Sequence, residues 1–588
     1  MKTPTRMVLK LLLLGLAAIP WFLDRADGPK DAFASQDDIG LGLTESASAV
    51  GINFTHRTSP LDPALSHILP SVFGMGASAS VTDVNNDGWL DLYLTTSDVG
   101  GLNALYINRW DGTFEDMAAR YGLADVNQAG TGVSMGAVWA DYDSDGLDDM
   151  LLYKWGRLTL YHQERDSLFI DVSQESGLGW WMNAGSAIWL DYDNDGDLDI
   201  YVGGYYKKGL DLWNLSTTKI MPNSFEYATN GGRNFLLANQ GDGTFVDVTE
   251  AANADCGCWT LALGAVDLTG DLFPEIVIAN DYGQDVLLIN RDGERFERGV
   301  PGDGKPKSGM NIAFGDVMND SVQSLYITNI SKSGYLAQGN DLWQWLGGGS
   351  LKAVGISRSA GVEDAGWAWG AQFGDLNNDG NIDLVVANGF ISADRDRDYW
   401  YHMSKVAMGS DRVFENVDNW PAIDGRSLSG YERSRLFLND GRGAFRDVAD
   451  DAGITDRLDG RAVVLADFFR TGSLDIVIAN QREATAFYRN VAAEYNDWIA
   501  FDLEGTNGLR SAIGASVTLH FDGGRQSQIV TAGIGYSSQM PRRLHFGLGR
   551  SSDFTHAVVS WPSGTVQVVN SLVVGAINRI TEPLHPTP

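Results

Sequence analysis

Oxygen-bearing side chains recur at one spacing in four places. DVNNDGWLDL begins at Asp83, DYDSDGLDDM at Asp141, DYDNDGDLDI at Asp191 and DLNNDGNIDL at Asp375. Counted from the first Asp, positions 1, 3, 5 and 9 carry Asp or Asn, and position 6 is Gly. That spacing wraps a short loop around a hard, oxygen-seeking cation, with position 7 offering its backbone carbonyl. The expected calcium ligands are Asp83, Asn85, Asp87, Trp89 and Asp91 in the first loop, and Asp141, Asp143, Asp145, Leu147 and Asp149 in the second. The third loop offers Asp191, Asp193, Asp195, Asp197 and Asp199, and the fourth Asp375, Asn377, Asp379, Asn381 and Asp383. Position 12 is Leu94, Leu152, Val202 or Val386, so the bidentate Glu of an EF-hand is missing and each loop opens a strand. Gly at position 6 allows the sharp turn that folds the early ligands toward the last. The four loops bring fourteen formal negative charges to positions 1, 3, 5 and 9, which repel one another without a cation. An Asx-rich turn without metal is the alternative for any one copy. Four copies in one chain weigh against it for the set.

These loops need elements to position them, and a second repeated pattern supplies candidates. LYINRWDGTFEDM from Leu105, LYHQERDSLFIDV from Leu160, FLLANQGDGTFVDV from Phe235, LLINRDGERF from Leu287 and LFLNDGRGAFRDV from Leu436 each read as strand, turn and strand. Between the hairpins lie three eroded loops, at Asp267, Asp316 and Asp467. The first keeps Asp271 and Glu275, so Asp267, Asp271 and Glu275 form a weaker candidate site. The others keep only Asp320 and Asp475 beside their first Asp. Seven units of this kind predict an all-β, seven-bladed propeller, with a β-solenoid as the structural alternative. The stretch from Leu43 to His56 looks like the tail of a unit without its own loop, so an N-terminal strand is expected to complete the last blade and remove an exposed edge.

The loop-plus-hairpin units resemble the FG-GAP/VCBS repeats of integrin-type propellers. Beyond them, SAIGASVTLHF from Ser511, AGIGYSSQ from Ala532, LHFGLG from Leu544 and WPSG from Trp561 resemble the ASPIC/UnbV domain. The combination is similar to the cartilage acidic protein family and spans roughly residues 40–583. The resemblance implies an exported calcium-binding protein and carries no catalytic activity with it. The domain layout expected is a signal or anchor at 1–34, the propeller at 40–495 and a small β-rich domain at 496–583.

Composition fits an exported chain. The 588 residues carry a net charge of −33, which makes nucleic acid and an anionic lipid surface poor partners. Lys2, Arg6 and Lys10 precede the apolar run from Leu11 to Leu23, the form of a secretory signal and short for a membrane span. Cleavage near Ala32-Phe33-Ala34 is one outcome; an uncleaved segment tethering the protein to a membrane is the other. The expected location is periplasmic or extracellular. Cys256 and Cys258 are the only cysteines, one residue apart, and read as small buried residues or at best as a strained disulfide.

Two insertions break the repeat, one from about Tyr205 to Arg233 and one from Ser392 to Ser434. Blades need only short links, so insertions of this size are candidates for binding loops. In the second, Arg395, Arg397, Tyr399, Trp400, Tyr401 and His402 form a candidate recognition surface for a sugar or a protein; a decoration covering part of the ring is the alternative. Trp367 and Trp369 alternate as core strand residues, and His162 and His545 sit in strand-like runs as structural histidines. No HExxH, full glycine-rich phosphate loop or CxxC occurs. The leading expectation is a non-catalytic, calcium-stabilised protein- or glycan-binding module. An enzyme acting on a polysaccharide or small molecule in the funnel, and a structural subunit of a membrane-anchored complex, remain the other readings.

Overall fold

The computed structural model describes residues 39–584 apart from 166–167, 333, 335, 410, 522–523 and 551–553. The expected signal or anchor at 1–34 lies outside the described residues. Among the described residues, strand pairing from 43 to 490 resolves into seven four-stranded antiparallel units, the second and third of which are joined into one eight-stranded sheet where Trp181–Asn183 pairs with Trp155–Arg157. The first is Ala79–Thr82, Asp91–Leu94, Ala104–Asn108 and Phe114–Asp116, paired in chain order. The loop at Asp83 joins the first two strands, and the hairpin read from the sequence forms the outer two.

The seventh unit is completed from the other end of the chain. Gly460–Ala466, Asp475–Asn480 and Ala486–Asn490 take Leu43–Glu45 as their outer strand, with Leu43 opposite Asn490 and Glu45 opposite Tyr488. The innermost strands touch in a closed cycle, first to second and onward through the seventh, which touches the first again. Apolar clusters fill the spaces between neighbours. Val81 and Leu92 of the first unit pack with Val464 and Val477 of the seventh, and Phe114 meets Phe468 edge-on at 5.6 Å. Strands sandwiched between units are buried on both faces, which is why they read as continuous apolar runs.

Inner strands run toward the loops and second strands run away from them, so anything inserted after a second strand lies at the opposite end of the ring. Both predicted insertions do. Residues 207–233 and 389–434 meet there: Val417 N–H donates to Thr218 O, Met221 N–H to Glu415 O, and Phe225 packs edge-on against Phe414 at 5.8 Å. A third segment, residues 59–75, joins them unannounced by any repeat, with Ile423 N–H donating to His67 O. Together they cap that end.

The C-terminal region forms two small sheets. One orders Leu544–Gly549, Asp497–Glu504 and Ile577–Thr581; the other orders Gly524–Ile529, Ser516–Phe521, Phe554–Ser560 and Val566–Val569. Their shared core includes Phe501, Leu519, Phe546 and Trp561. Between them, residues 531–541 enter the ring from the loop end. Gln539 caps both backbone groups of Trp139, Ala532 O accepts from Trp189 N–H, and Ser538–Gln539 pairs in parallel with Ala79–Ser80. Tyr536 is buried at the centre, 5.2 Å from Trp369. Residues 531–541 therefore occupy the central channel from the loop end. No helix among the described residues is long and apolar enough to cross a membrane.

Candidate metal centre

Each loop is first of all a hydrogen-bonded turn. In the third unit, Asp191 accepts Asp195 N–H at 3.2 Å on one oxygen and Gly196 N–H at 3.1 Å on the other. Position 9 latches the loop to two strands. Asp199 Oδ2 takes Tyr192 N–H at 3.1 Å, and its Oδ1 takes Asn239 N–H from the third strand at 2.9 Å. Asp91, Asp149 and Asp383 repeat that double latch. Position 4 takes a positive φ throughout, at Asn86, Ser144, Asn194, Gly270, Asn319, Asn378 and Arg470. Asn tolerates that left-handed conformation better than other side chains, which accounts for its recurrence there.

The same third-strand position links one unit to the preceding one. Asn108 donates to Phe468 O, Gln163 to Val84 O, Asn239 to Tyr142 O, Asn290 to Tyr192 O, Asn439 to Val317 O and Asn490 to Leu376 O, at 2.7 to 3.1 Å. Each acceptor is the loop's position-2 carbonyl. The Asn of the hairpin turn signal is thus an inter-unit tie, a role invisible in a single repeat.

Backbone donors do not use all the oxygen. Asp191, Asp193 and Asp199 bring carboxylate atoms within 4.8 Å of one another, as do Asp141, Asp143 and Asp149. Asp141 Oδ1 and Asp193 Oδ1 are buried with no hydrogen-bond partner. Burial and neighbouring carboxylates push Asp141 up to about 6, Asp191 to about 7 and Asp199 to about 9. A cation in the loop supplies the missing partner and the missing charge, so the residues fit a hard metal ion. In the sixth-unit loop, burial and the Asp379 carboxylate raise Asp375 and Asp383 well above the usual range. In the eroded fourth loop, Glu275 Oε1 is likewise buried and unpartnered, and burial raises its acid to about 8, while Asp267 accepts the N–H groups of Gly270, Asp271 and Leu272.

Two expectations change. His162 belongs to the second loop and is more than a structural histidine. Its Nδ1 lies 3.0 Å from Asp149 Oδ1 and 3.4 Å from Asp143 Oδ2, and the hydrogen bond to Asp149 raises it to about 9. It reaches the loop from the third strand, where other units place Ile107, Ala238 or Leu438, so nothing near the loop motif announces it. His545 is structural as expected: buried, with Nε2 2.8 Å from Asn378 Oδ1. The recognition surface also divides. Tyr399 is fully buried, its hydroxyl donating to Pro421 O, because it anchors the insertion to the cap. Trp400 lines a cavity beneath the cap. Arg395 stacks on Tyr431, Arg397 pairs with Asp424, and Tyr401 and His402 face solvent. Cys256 and Cys258 are buried and joined as a disulfide, beside the Arg298 guanidinium.

The C-terminal region sits directly on the loops. Gly547 N–H donates to Asp375 Oδ2, Ser527 N–H to Asp316 Oδ2 and Gln526 Nε2 to Gly380 O, while Arg542 pairs with Asp148. The sixth loop is accordingly closed over by a neighbour, whereas Asp145 and Asp195 remain exposed.

This is an all-β ring of repeated acidic loops, closed on one side by a β-rich domain. Family models match in both parts: an FG-GAP-like repeat at residues 83–152 and 141–202, and ASPIC and UnbV at 505–586. An FG-GAP-like repeat region followed by an ASPIC and UnbV domain is the combination that the sequence resemblance implies. The chain is 23% identical to cartilage acidic protein 1 of Mus musculus over 372 residues and 24% identical to that of Homo sapiens over 368, covering 55% of this chain in each case. It spans about half the length of these curated relatives, 55% and 53%. Among solved structures, an Agrocybe aegerita lectin recognising non-reducing terminal N-acetylglucosamine is similar at TM-score 0.35 and 14% identity, over 65% of this chain and 82% of that one. YCF48 bound to D1 peptide is similar at TM-score 0.35 and 9% identity, over 70% and 92%. FG-GAP repeats commonly bind calcium, and the acidic clusters here could hold a metal ion.

Proposed function

We propose that this protein is an exported, calcium-loaded propeller that acts as a non-catalytic interaction module for a protein or a glycan. One observation carries the calcium reading: Asp141 and Asp193 keep a buried carboxylate oxygen without a partner in loops whose backbone hydrogen bonds are otherwise made. About four ions are expected, one in each intact loop. Calcium supplies charge neutralisation and a fixed coordination centre when bound. The chain's own residues do the rest: positions 1 and 9 hold the loop closed through backbone N–H groups, and in the second and third loops positions 1, 3 and 9 bring carboxylate oxygens together for the ion. Sites of the extracellular type bind at about 10⁻⁴–10⁻³ M, which fits the location implied by the basic-then-apolar N-terminus. At about a hundred times its dissociation constant, one ion stabilises by roughly 2.7 kcal/mol.

The channel occupied by residues 531–541 supports the non-catalytic reading, since a funnel active site would need that space. Exposed Tyr401, His402, Arg395 and Arg397 on the cap are the surface offered to the partner. The test is a melting curve of the purified protein in excess calcium and in chelator, with bound metal counted. A calcium-dependent rise with about four ions per chain is the expected result. An unchanged melting temperature with no bound metal sinks the reading and returns the loops to bare turns. Glycan-array binding that fails when Tyr401 and Arg397 are replaced by Ala would place the partner on the cap.

A further inference from the structure

Beneath the cap, at the end of the ring away from the loops, lies a cavity whose walls come from segments distant in sequence. Its volume is about 60 Å³. Trp367, Trp369, Phe390, Tyr206, Tyr282 and Trp400 are among the aromatic rings in its walls, and Met221, Met310 and Met403 add polarisable thioethers. Asp281 is the one charged side chain among its lining residues, while the buried Arg461 guanidinium stacks over the rings of Trp369 at 4.0 Å and Phe390 at 5.7 Å.

Asp281 is held in place. Tyr205 donates its hydroxyl to Asp281 Oδ2 at 2.7 Å, and the Asp281 N–H donates to Trp259 O at 3.0 Å. The rings around it are mutually braced: Tyr205 stands edge-on to Tyr206 and to Trp259, each at 5.0 Å, and Phe390 packs on Trp367 at 4.8 Å and on Trp369 at 5.5 Å. Burial pushes the Asp281 acid up to about 6, opposed by the Tyr205 hydroxyl. No described side chain forms an ion pair with it, though an unpaired carboxylate in an apolar wall is costly.

We propose that this cavity binds a small organic cation, an alkylated ammonium head group, with Asp281 as its counter-ion and Tyr206, Tyr282, Trp367 and Trp400 as its cage. Aromatic faces attract a cation through their quadrupole, and methylated ammonium groups lose little hydration on entering such a box. A carboxylate opposite the cage adds the charge that a neutral ligand cannot use. A sugar suits the cavity less well. It needs several convergent polar partners, whereas two of the four wall tyrosines already spend their hydroxyls on Asp281 and on Pro421 O. The inference does not rest on the calcium loops, which lie at the other end of the ring.

The test uses the full chain in excess calcium, titrated with choline, with its uncharged carbon isostere 3,3-dimethyl-1-butanol and with N-acetylglucosamine, read by tryptophan fluorescence and calorimetry. Choline should bind saturably, about tenfold or more tighter than the isostere. Asp281→Asn keeps the shape and should erase that preference; Trp400→Ala should weaken choline at an unchanged melting temperature. If Asp281→Asn does not fold, the comparison of choline with its isostere on the unaltered protein still decides. Equal binding of choline and isostere, tighter binding of the sugar, or no binding of choline would each overturn the proposal. Loss of calcium-dependent melting would sink the calcium reading and leave this one standing.

Discussion

The third and seventh loops have nearly the same backbone and very different charge. Asp191 and Asp467 both accept the N–H groups of positions 5 and 6, and Asp199 and Asp475 both accept the N–H of the third-strand Asn. Both loops carry a positive φ at position 4, Asn194 in one and Arg470 in the other. They part at positions 3 and 5. The third loop has Asp193 and Asp195; the seventh has Phe469 and Thr471. Phe469 packs against Phe114 and Phe487, and burial raises the Asp467 acid, opposed by the backbone N–H groups of Gly472 and Thr471 and by the Arg543 guanidinium of the C-terminal region. Positions 1 and 9 therefore serve the fold in both loops, whereas the carboxylates at positions 3 and 5 occur only in the intact one. Retention of Asp at 1 and 9 in an eroded loop needs no residual metal binding to explain it.

Removing calcium is the largest perturbation of that comparison. Four filled sites at about 2.7 kcal/mol each predict a fall in melting temperature on the order of 10 °C in chelator. Equal curves in calcium and chelator would break the division between metal and fold positions. The next test sets one position of each kind side by side. Asp193→Asn should destabilise by about 2–3 kcal/mol in calcium and hardly at all in chelator. Asp475→Ala, which strands the buried Asn490 N–H, should cost about 1–3 kcal/mol in both. Denaturant unfolding of the two variants under both conditions decides, and a calcium-dependent Asp475→Ala would reverse the assignment.

A smaller effect sharpens the inter-unit ties. Asn239→Ala removes hydrogen bonds to Tyr142 O and Leu198 O, each 3.1 Å, and should cost about 1–2 kcal/mol with or without calcium. The smallest comes from His56, far from the loops. Burial, with Arg461 and Arg482 nearby, lowers it from 6.5 to about 3, so the folded state holds it neutral. The unfolded state binds the extra proton below pH 6.5, and stability is therefore full above that pH and lost as pH falls toward 3. The expected slope is up to about 1.4 kcal/mol per pH unit between pH 6 and 5. Unfolding of His56→Gln in excess calcium should lack that slope; a slope shared with the parent would assign it to other groups.

Much of the ring was legible because its units are local. Loop, hairpin and turn each lie within a few dozen residues, so Gly at position 6 and Phe opening the outer strand reveal them directly. The N-terminal strand was legible because it was a fragment lacking its other half. The Asn at position 4 was a signal of the left-handed turn that could have been read and was not. His162 was hidden because it reaches the second loop from the third strand, thirteen residues past Asp149. Tyr399 was misplaced on the surface because an aromatic beside charged residues looks solvated until its anchoring partner, Pro421, is known.

By itself, the sequence determined the repeated loop, the chemistry of its oxygens and the all-β character of both parts. Periodicity and ligand spacing are properties of short stretches, and short stretches carry them whole. Only the tertiary structure decided that three separate segments cap one end, that residues 531–541 occupy the channel from the other, and that Asp281 faces an aromatic box. Each of these is a meeting of residues tens to hundreds of positions apart, made when ring closure brings the ends of different units to one place.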